Sequence, residues 1–467
     1  MTKALSQARF DLYALGTRQS MTRLYSEELS YWSDLDETVI GAVIRDLVDD
    51  DFGWVMLARD RVGRFRAIKI ETDFSTERQA MAQLRLAIAD TVKSENVTEA
   101  AVQGDEPNAP YDLLTVGAEV NPESLHPYFK ELVERPGRAP ARAVVREIGP
   151  WLAPSDPHFV KEFQQNQFDQ RLWELFLWAA FRELGFDVEQ LEAPDFGCFA
   201  PAISFTVEAT TAAPSTMGPL ASHPEPKTPE ERAEFLSGYM PMKYGSSLVS
   251  KIRKTNKDGK HYWELDPASD KPFILAIADF HKPAEKGEIG SMVYTQSALW
   301  LYLYGRRLTW EDRDGHPVLV PTKAATHVYR EKVIPSGFFD QPGAEHVSAV
   351  LFSNAGTIAK LDRMGVVAGF GADKHHYYRV GQMHNPDPNA VMGTPFSVNI
   401  SEPEYMEFWS DELQIFHNPN AVRPLPTEWF GGIAQHFFLD GNLYSDYPDG
   451  HVLSSYTMLM QLKEGRD

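Results

Sequence analysis

Cysteine is almost absent from this chain of 467 residues, where Cys198 stands alone. A single thiol excludes an intrachain disulfide framework and a cysteine-built zinc site. Next to the Pro194-Asp195-Phe196 turn it reads as a small core residue. Positive charge is also scarce: 45 Lys and Arg face 66 Asp and Glu, a formal net charge of −21. That balance argues against a general nucleic-acid coat protein, although an enzyme needs only a locally positive groove. It also favours a divalent cation wherever phosphate must approach carboxylates. Long apolar runs are missing, so no membrane span and no membrane partner are expected. Residues 1–20 lack the apolar region and cleavage site of a signal peptide, and a cytoplasmic location is expected. No H-E-x-x-H, G-x-S-x-G or Walker A string occurs, and Gly369-Phe370-Gly371 lacks the third glycine of a dinucleotide loop.

Hydrophobic residues at 43% and charged residues at 24% indicate a globular chain, and its length allows more than one domain. The expected fold class is α/β, a mixed central sheet flanked by helices, with a smaller N-terminal α+β domain. Residues 1–103 read as that accessory domain. Apolar runs at 38–47, 53–59 and 64–71 have hairpin spacing, with Gly63 supplying a positive φ in the last turn. Ser75-Thr76-Glu77 then opens a helix whose apolar face is Met81, Leu84, Leu86 and Ile88. Residues 104–157, punctuated by prolines, read as a linker with short helical pieces such as 127–133. Residues 158–467 form the α/β domain and a C-terminal extension. Within it, 212–229 reads as a long loop, 244–254 and 291–304 as helices, and 272–279 and 347–353 as strands buried on both faces.

The chemistry concentrates between Phe168 and Thr211. Phe168, Leu172, Leu175, Phe176, Ala179 and Ala180 recur at helical spacing, and Gly185 stops the helix. Glu174 falls off that stripe, on the face of Arg171 and Trp178. A strand follows at 186–191, Pro194 breaks it, and 203–211 alternates as a β-branched strand with Glu208 near its end. Asp195 and Glu208 on adjacent strands are candidates to converge on one ion. Magnesium prefers oxygen ligands and is held by one or two carboxylates with water and phosphate. Glu174 is the candidate third ligand or water-orienting group.

This order of helix with Glu174, strand, Pro194-Asp195, Glu208-Ala209-Thr210, helix and strand resembles the PD-(D/E)XK nuclease superfamily, the restriction-endonuclease-like fold, over residues 166–304. The resemblance implies a Mg²⁺- or Mn²⁺-dependent nuclease acting on nucleic acid, DNA ahead of RNA. A role in defence or repair is implied by the family alone. Glu174 matches the glutamate of the first helix, Asp195 the metal-binding aspartate, and Glu208 the acid of the E-x-K motif. Thr210 stands where that lysine belongs. The lysine is then expected from the following helix, as Lys251 or Lys243, or Thr210 itself positions the water. The alternative is a degenerate nuclease-like module that binds nucleic acid or a protein partner.

Lys251, Arg253, Lys254, Lys257 and Lys260 form a basic cluster in this acidic chain. With Lys243 it is the candidate contact for a nucleic-acid backbone. Its competing reading is a solvated helix end. Asp279-Phe280-His281 closes a buried strand, where site residues often gather in open sheets. The adjacent His375 and His376 diverge and read as a surface loop. A homo-oligomer, or a protein partner joined through the N-terminal domain, stays open on the sequence.

Overall fold

The computed structural model describes residues 1–93, 96–106, 112–152, 158–212, 226–280, 295–371, 374–387, 390 and 392–461. Most of the 212–229 loop, the start of the 291–304 helix and His281 lie outside the described residues.

Alternating apolar runs build an N-terminal antiparallel sheet. Its strands are β1 (Thr2–Ala4), β2 (Ser26–Asp34), β3 (Val39–Asp46), β4 (Phe52–Arg59) and β5 (Phe65–Phe74), ordered as in the chain. Two more strands than the sequence pattern suggested therefore complete this unit. Gly63 adopts φ 94° in the β4–β5 turn, as expected. Helix α1 (Gln7–Ala14) places Phe10 and Tyr13 against Ile40, Leu57 and Phe65. Helix α2 (Glu77–Thr91) covers the opposite face, with Ala80, Leu84 and Ile88 against Val39, Val43 and Trp54. The Thr76 hydroxyl caps it by accepting the Gln79 N–H. Leu86 is 59% exposed, outside the expected apolar face. Two residues past Leu84 is a turn of about 200°, which points it away from the sheet.

The proline-rich stretch carries helices α3 (Pro127–Glu134) and α4 (Ala139–Ile148). Each has proline in its first turn, where a missing N–H costs nothing. Phe129, Leu132, Val144 and Ile148 enter the same core cluster as the helix bearing Glu174. This stretch is thus part of the main core as well as a connection.

Helix α5 (Phe168–Glu183) leads into an antiparallel meander of β6 (Asp187–Gln190), β7 (Phe196–Ala200) and β8 (Ile203–Ala212). Helix α6 (Met240–Arg253) then crosses over to β9 (Phe273–Asp279), which pairs parallel to β8. Every residue of β9 is buried, because the run Phe273–Asp279 is covered on both faces. After helix α7 (Thr295–Leu303) come two hairpins, β10 (Arg306–Arg313) with β11 (His316–Lys323), and β12 (Thr326–Tyr329) with β13 (Lys332–Pro335). Strand β14 (Ala349–Ser353) returns parallel to β9, and helix α8 (Ile358–Val367) follows. The chain closes with β15 (His375–Met383), β16 (Thr394–Asn399), β17 (Gln414–His417), β18 (Ala434–Leu439), β19 (Asn442–Asp446) and β20 (Val452–Gln461).

The result is a mixed α/β architecture. Eight strands run in the order β19-β18-β17-β14-β9-β8-β7-β6, with antiparallel sheets beside them. Val207, Ala209, Ile274 and Ala276 join the core on the α5 side, while Leu275, Ile277 and Ala212 join the core on the α6 and α7 side. His375 and His376 open β15, which pairs with β16 and β20, so they belong to a strand and not to a loop. Close approach of α8 to α4 requires Gly365, where a Cβ would meet the Pro140 carbonyl oxygen at 2.5 Å. Arg182 ties the N-terminal unit to α5: it donates to the Leu15 and Gly16 carbonyls and to Asp187. No helix among the described residues is long and apolar enough to cross a membrane.

Candidate active site

The site originates in a short strand. β7 pairs with β8 only from Ala200 opposite Ile203 to Phe196 opposite Val207. Past Val207 this side of β8 has no strand partner among the described residues, and Pro194-Asp195 lies beside that stretch. The Ala193–Pro194 bond is cis. The Asp195 carboxylate takes the place of a strand neighbour, its Oδ2 accepting the Ala209 N–H at 2.7 Å. Continuing the register puts Asp195 opposite Glu208. From there the Asp195 charge acts on Glu174 of α5, on Glu208 and on Lys251 of α6.

From the α5 side comes Glu174, 4% exposed. Gln170 Nε2 donates to its Oε1 at 2.9 Å, and Arg171 Nη1 donates to its Oε2 at 2.8 Å. These donors stand four and three residues earlier, one helical turn back. Arg171 is itself held by Glu162, which accepts its Nε–H at 2.9 Å. Gln170 also reaches the Ala209 carbonyl at 3.5 Å and so links the helix to β8.

From the α6 side comes Lys251. Its ammonium lies 2.5 Å from Glu208 Oε1, and Glu208 is 2% exposed. Side chains alternate along β8, so Glu208 and Thr210 turn toward α6 while Val207 and Ala209 turn toward α5. Ser247 on α6 donates to the Thr211 carbonyl at 3.0 Å and fixes the helix against the strand.

Burial and the nearby Asp195 charge raise both glutamates, each to about 7. Arg171 and Gln170 oppose the shift at Glu174, and Lys251 opposes it at Glu208. Burial works against the Lys251 charge, but Glu208 and then Asp195 outweigh it and raise its pKa. The ion pair is therefore lopsided: Lys251 is held firmly charged, while Glu208 still favours its proton. Burial of Glu208 is the main cause of this asymmetry, and the Asp195 charge adds to it.

The folded protein binds protons at Glu174 and Glu208 more tightly than the unfolded chain does. Their contribution is most favourable below about pH 4.5 and is lost as pH rises through about 7. In metal-free buffer, Glu174→Gln is expected to flatten the fall in thermal midpoint between pH 5 and pH 8. Calorimetric scans across that window test it, and a slope identical to wild type would contradict the assignment.

The groups open onto a cleft of about 440 Å³, lined by Asp169, Gln170, Glu174, Asp195, Thr211, Lys251 and Lys254, among others. One wall is His126 stacked on Phe168, with ring centroids 5.4 Å apart. Burial raises Asp169 to about 6. Of the residues singled out from sequence, Glu174, Asp195, Lys251 and Lys254 line the cleft, and Glu208 joins them through Lys251. Thr210 is 7% exposed, and Thr211 is the cleft residue instead. Lys243 lies about 12 Å back along α6 by helical rise. It is buried there, with Lys332 and Asp279 as its charged neighbours. Asp279 is fully buried near the Tyr244 hydroxyl and does not line the cleft. Arg253 is exposed at the end of α6, outside the lining. Gln170 and Asp169 were missed from sequence. For Gln170 the available signal was its position one helical turn before Glu174.

Among the described residues no group of three or more His, Cys, Asp or Glu side chains forms a set that would hold a metal ion. Of the three carboxylates expected from sequence, Glu174 has both oxygens engaged by protein donors, Gln170 and Arg171. Asp195 and Glu208 are the other two, an all-oxygen pair whose shared cation is Lys251. Two carboxylates with water and phosphate suit magnesium or manganese. Comparison with protein-family models, curated proteins and solved structures finds no match for this chain.

Proposed function

We propose that this chain is a divalent-metal-dependent nuclease with a restriction-endonuclease-like core, acting on DNA ahead of RNA. The observation that carries the reading is the approach of Lys251, from the crossover helix, to Glu208 beside Asp195. It supplies the ammonium that Thr210 cannot. The order helix, three-stranded meander, crossover helix and parallel strand supports the same core.

Asp195 and Glu208 would hold Mg²⁺ or Mn²⁺, which when bound neutralises charge at phosphorus and acidifies water. Every other task falls to the chain. Lys251 donates to a nonbridging oxygen of the scissile phosphate. Glu174, oriented by Gln170 and Arg171, takes the proton of the attacking water, a role suited to a carboxylate whose proton affinity is raised toward neutral pH. Lys254, at the cleft wall, attracts the neighbouring phosphate. A degenerate binding module draws its support from Thr210 at the lysine position, and Lys251 weakens that support.

The deciding assay incubates wild type and Glu208→Ala with plasmid, single-stranded DNA and RNA in Mg²⁺, Mn²⁺ or EDTA. Cutting is expected with metal only, and reduced at least about 10³-fold in the variant, comparable to losing a major transition-state stabiliser. Equal cutting by both proteins, or none by wild type on any substrate, would sink the nuclease.

A further inference from the structure

Most arginines and several lysines described in this chain have carboxylate partners. Residues 253–260 depart from that habit. Arg253, Lys254, Lys257 and Lys260 are exposed. Among the described residues none of the four has a carboxylate within salt-bridge distance. Asp258 is the one acid among residues 253–260. In a chain of net charge −21, this is a locally positive strip. It starts at the cleft wall, because Lys254 is both a cleft residue and the first residue past α6.

The strip is stiff. A bridge between Thr255 and His261 closes it, and Asn256 donates its N–H to the Lys260 carbonyl at 2.8 Å. The Asn256 side chain accepts the N–H groups of Asp258 and Lys260 at 2.9 Å each. Gly259 takes φ 79°, which completes the turn. The Lys254 ammonium rests 5.0 Å from the centre of the Tyr262 ring. Cations on a preformed turn lose less freedom on binding than cations on a mobile loop.

We propose that Lys254, Lys257 and Lys260, with Arg253, form a landing ledge for the backbone phosphates of a nucleic-acid strand leaving the cleft. The inference rests on the nuclease reading and adds its binding footprint. Phosphate contacts position a strand without reading its bases, so the ledge fits sequence-independent engagement. It also lets a strongly acidic protein hold a polyanion.

The test measures binding by fluorescence anisotropy, using the full chain in EDTA and a labelled DNA as duplex and as single strand. Three proteins are compared: wild type, the triple variant K254A/K257A/K260A, and a control triple K3A/K69A/K93A on the N-terminal unit, which changes net charge equally. The ledge triple is expected to weaken binding at least about tenfold at low salt and to lower the slope of log affinity against log salt by about 2 units, since each phosphate contact contributes ~0.7–0.9. The control is expected to stay within about twofold of wild type. Equal weakening in both triples would assign the effect to net charge and overturn the ledge. No weakening in the ledge triple would overturn it too. Both results leave the nuclease reading intact, whereas failure of wild type to bind either DNA overturns the two together.

Discussion

Asp195→Asn is expected to abolish metal-dependent cleavage and yet raise the thermal midpoint of the metal-free protein. Asp195 raises the proton affinity of Glu174 and of Glu208, so its charge repels both buried neighbours. Asparagine keeps an oxygen for the Ala209 N–H, now accepted at 2.7 Å by Asp195, and so preserves that contact with β8. Only the charge is lost. Like charges a few ångströms apart repel by several kcal/mol at an effective dielectric near about 20, and partial protonation of the glutamates reduces the recoverable part to ~1–3 kcal/mol. The midpoint should rise by a few degrees. Manganese should stabilise wild type strongly and the variant little, because the proposed site would lose one of its two carboxylates. Calorimetry with EDTA and with Mn²⁺, beside a plasmid-nicking assay, reads all three effects. A lower midpoint in EDTA would refute the repulsion account, and retained nicking would refute the role of Asp195. The combination expected, more stable and inactive, marks a site that sacrifices stability for chemistry.

Part of this site is legible in the sequence because its signals are local. The apolar repeat of α5, the break at Pro194, the alternation of β8 and the unbroken apolar run of β9 each follow from periods of a few residues. What eludes local reading is set by tertiary packing. Lys243 and Lys251 sit on the same helix, and the sequence does not choose between them. The packing of α6 on β8 chooses, through the Ser247 to Thr211 bond and the Lys251 to Glu208 pair. Thr210, the alternative to a lysine, shares the Glu208 face but is buried and does not line the cleft. The expected helical piece at 127–133 is present, whereas the helix over Ala139–Ile148 escapes a reading of proline as punctuation, because an N–H is dispensable in a first turn, where Pro140 stands. Strands β17, β18 and β19 extend the main sheet from the far end of the chain, a nonlocal pairing that no short window registers. Gln170 was overlooked because an amide one turn before an acid is common on any helix; its importance comes from reaching both Glu174 and the Ala209 carbonyl.

Lys251→Met should separate stability from metal affinity more sharply than any other single change. In the metal-free protein the Lys251 ammonium is the cation bonded to Glu208, and that carboxylate is 2% exposed. Methionine retains much of the side-chain volume and removes the charge. Glu208 is then left buried beside Asp195 with only the Lys254 charge to offset it, a loss expected to cost about 3–5 kcal/mol where the carboxylate stays ionised. The cost falls at low pH, where Glu208 takes up a proton. A divalent ion should recover it, since the ammonium and the ion compete for the same carboxylate. Mn²⁺ is thus expected to bind the variant about tenfold more tightly than wild type and to stabilise it by more degrees, while cleavage stays lost. Lys251→Arg should keep the metal-free stability, and Lys243→Met should leave Mn²⁺ affinity unchanged, since Lys243 lies away from the cleft beside Asp279. Isothermal titration with Mn²⁺ and thermal scans with and without the ion test each step. Weaker Mn²⁺ binding in Lys251→Met would mean that the ammonium assists the ion instead of standing in for it, and the competition between them would be refuted.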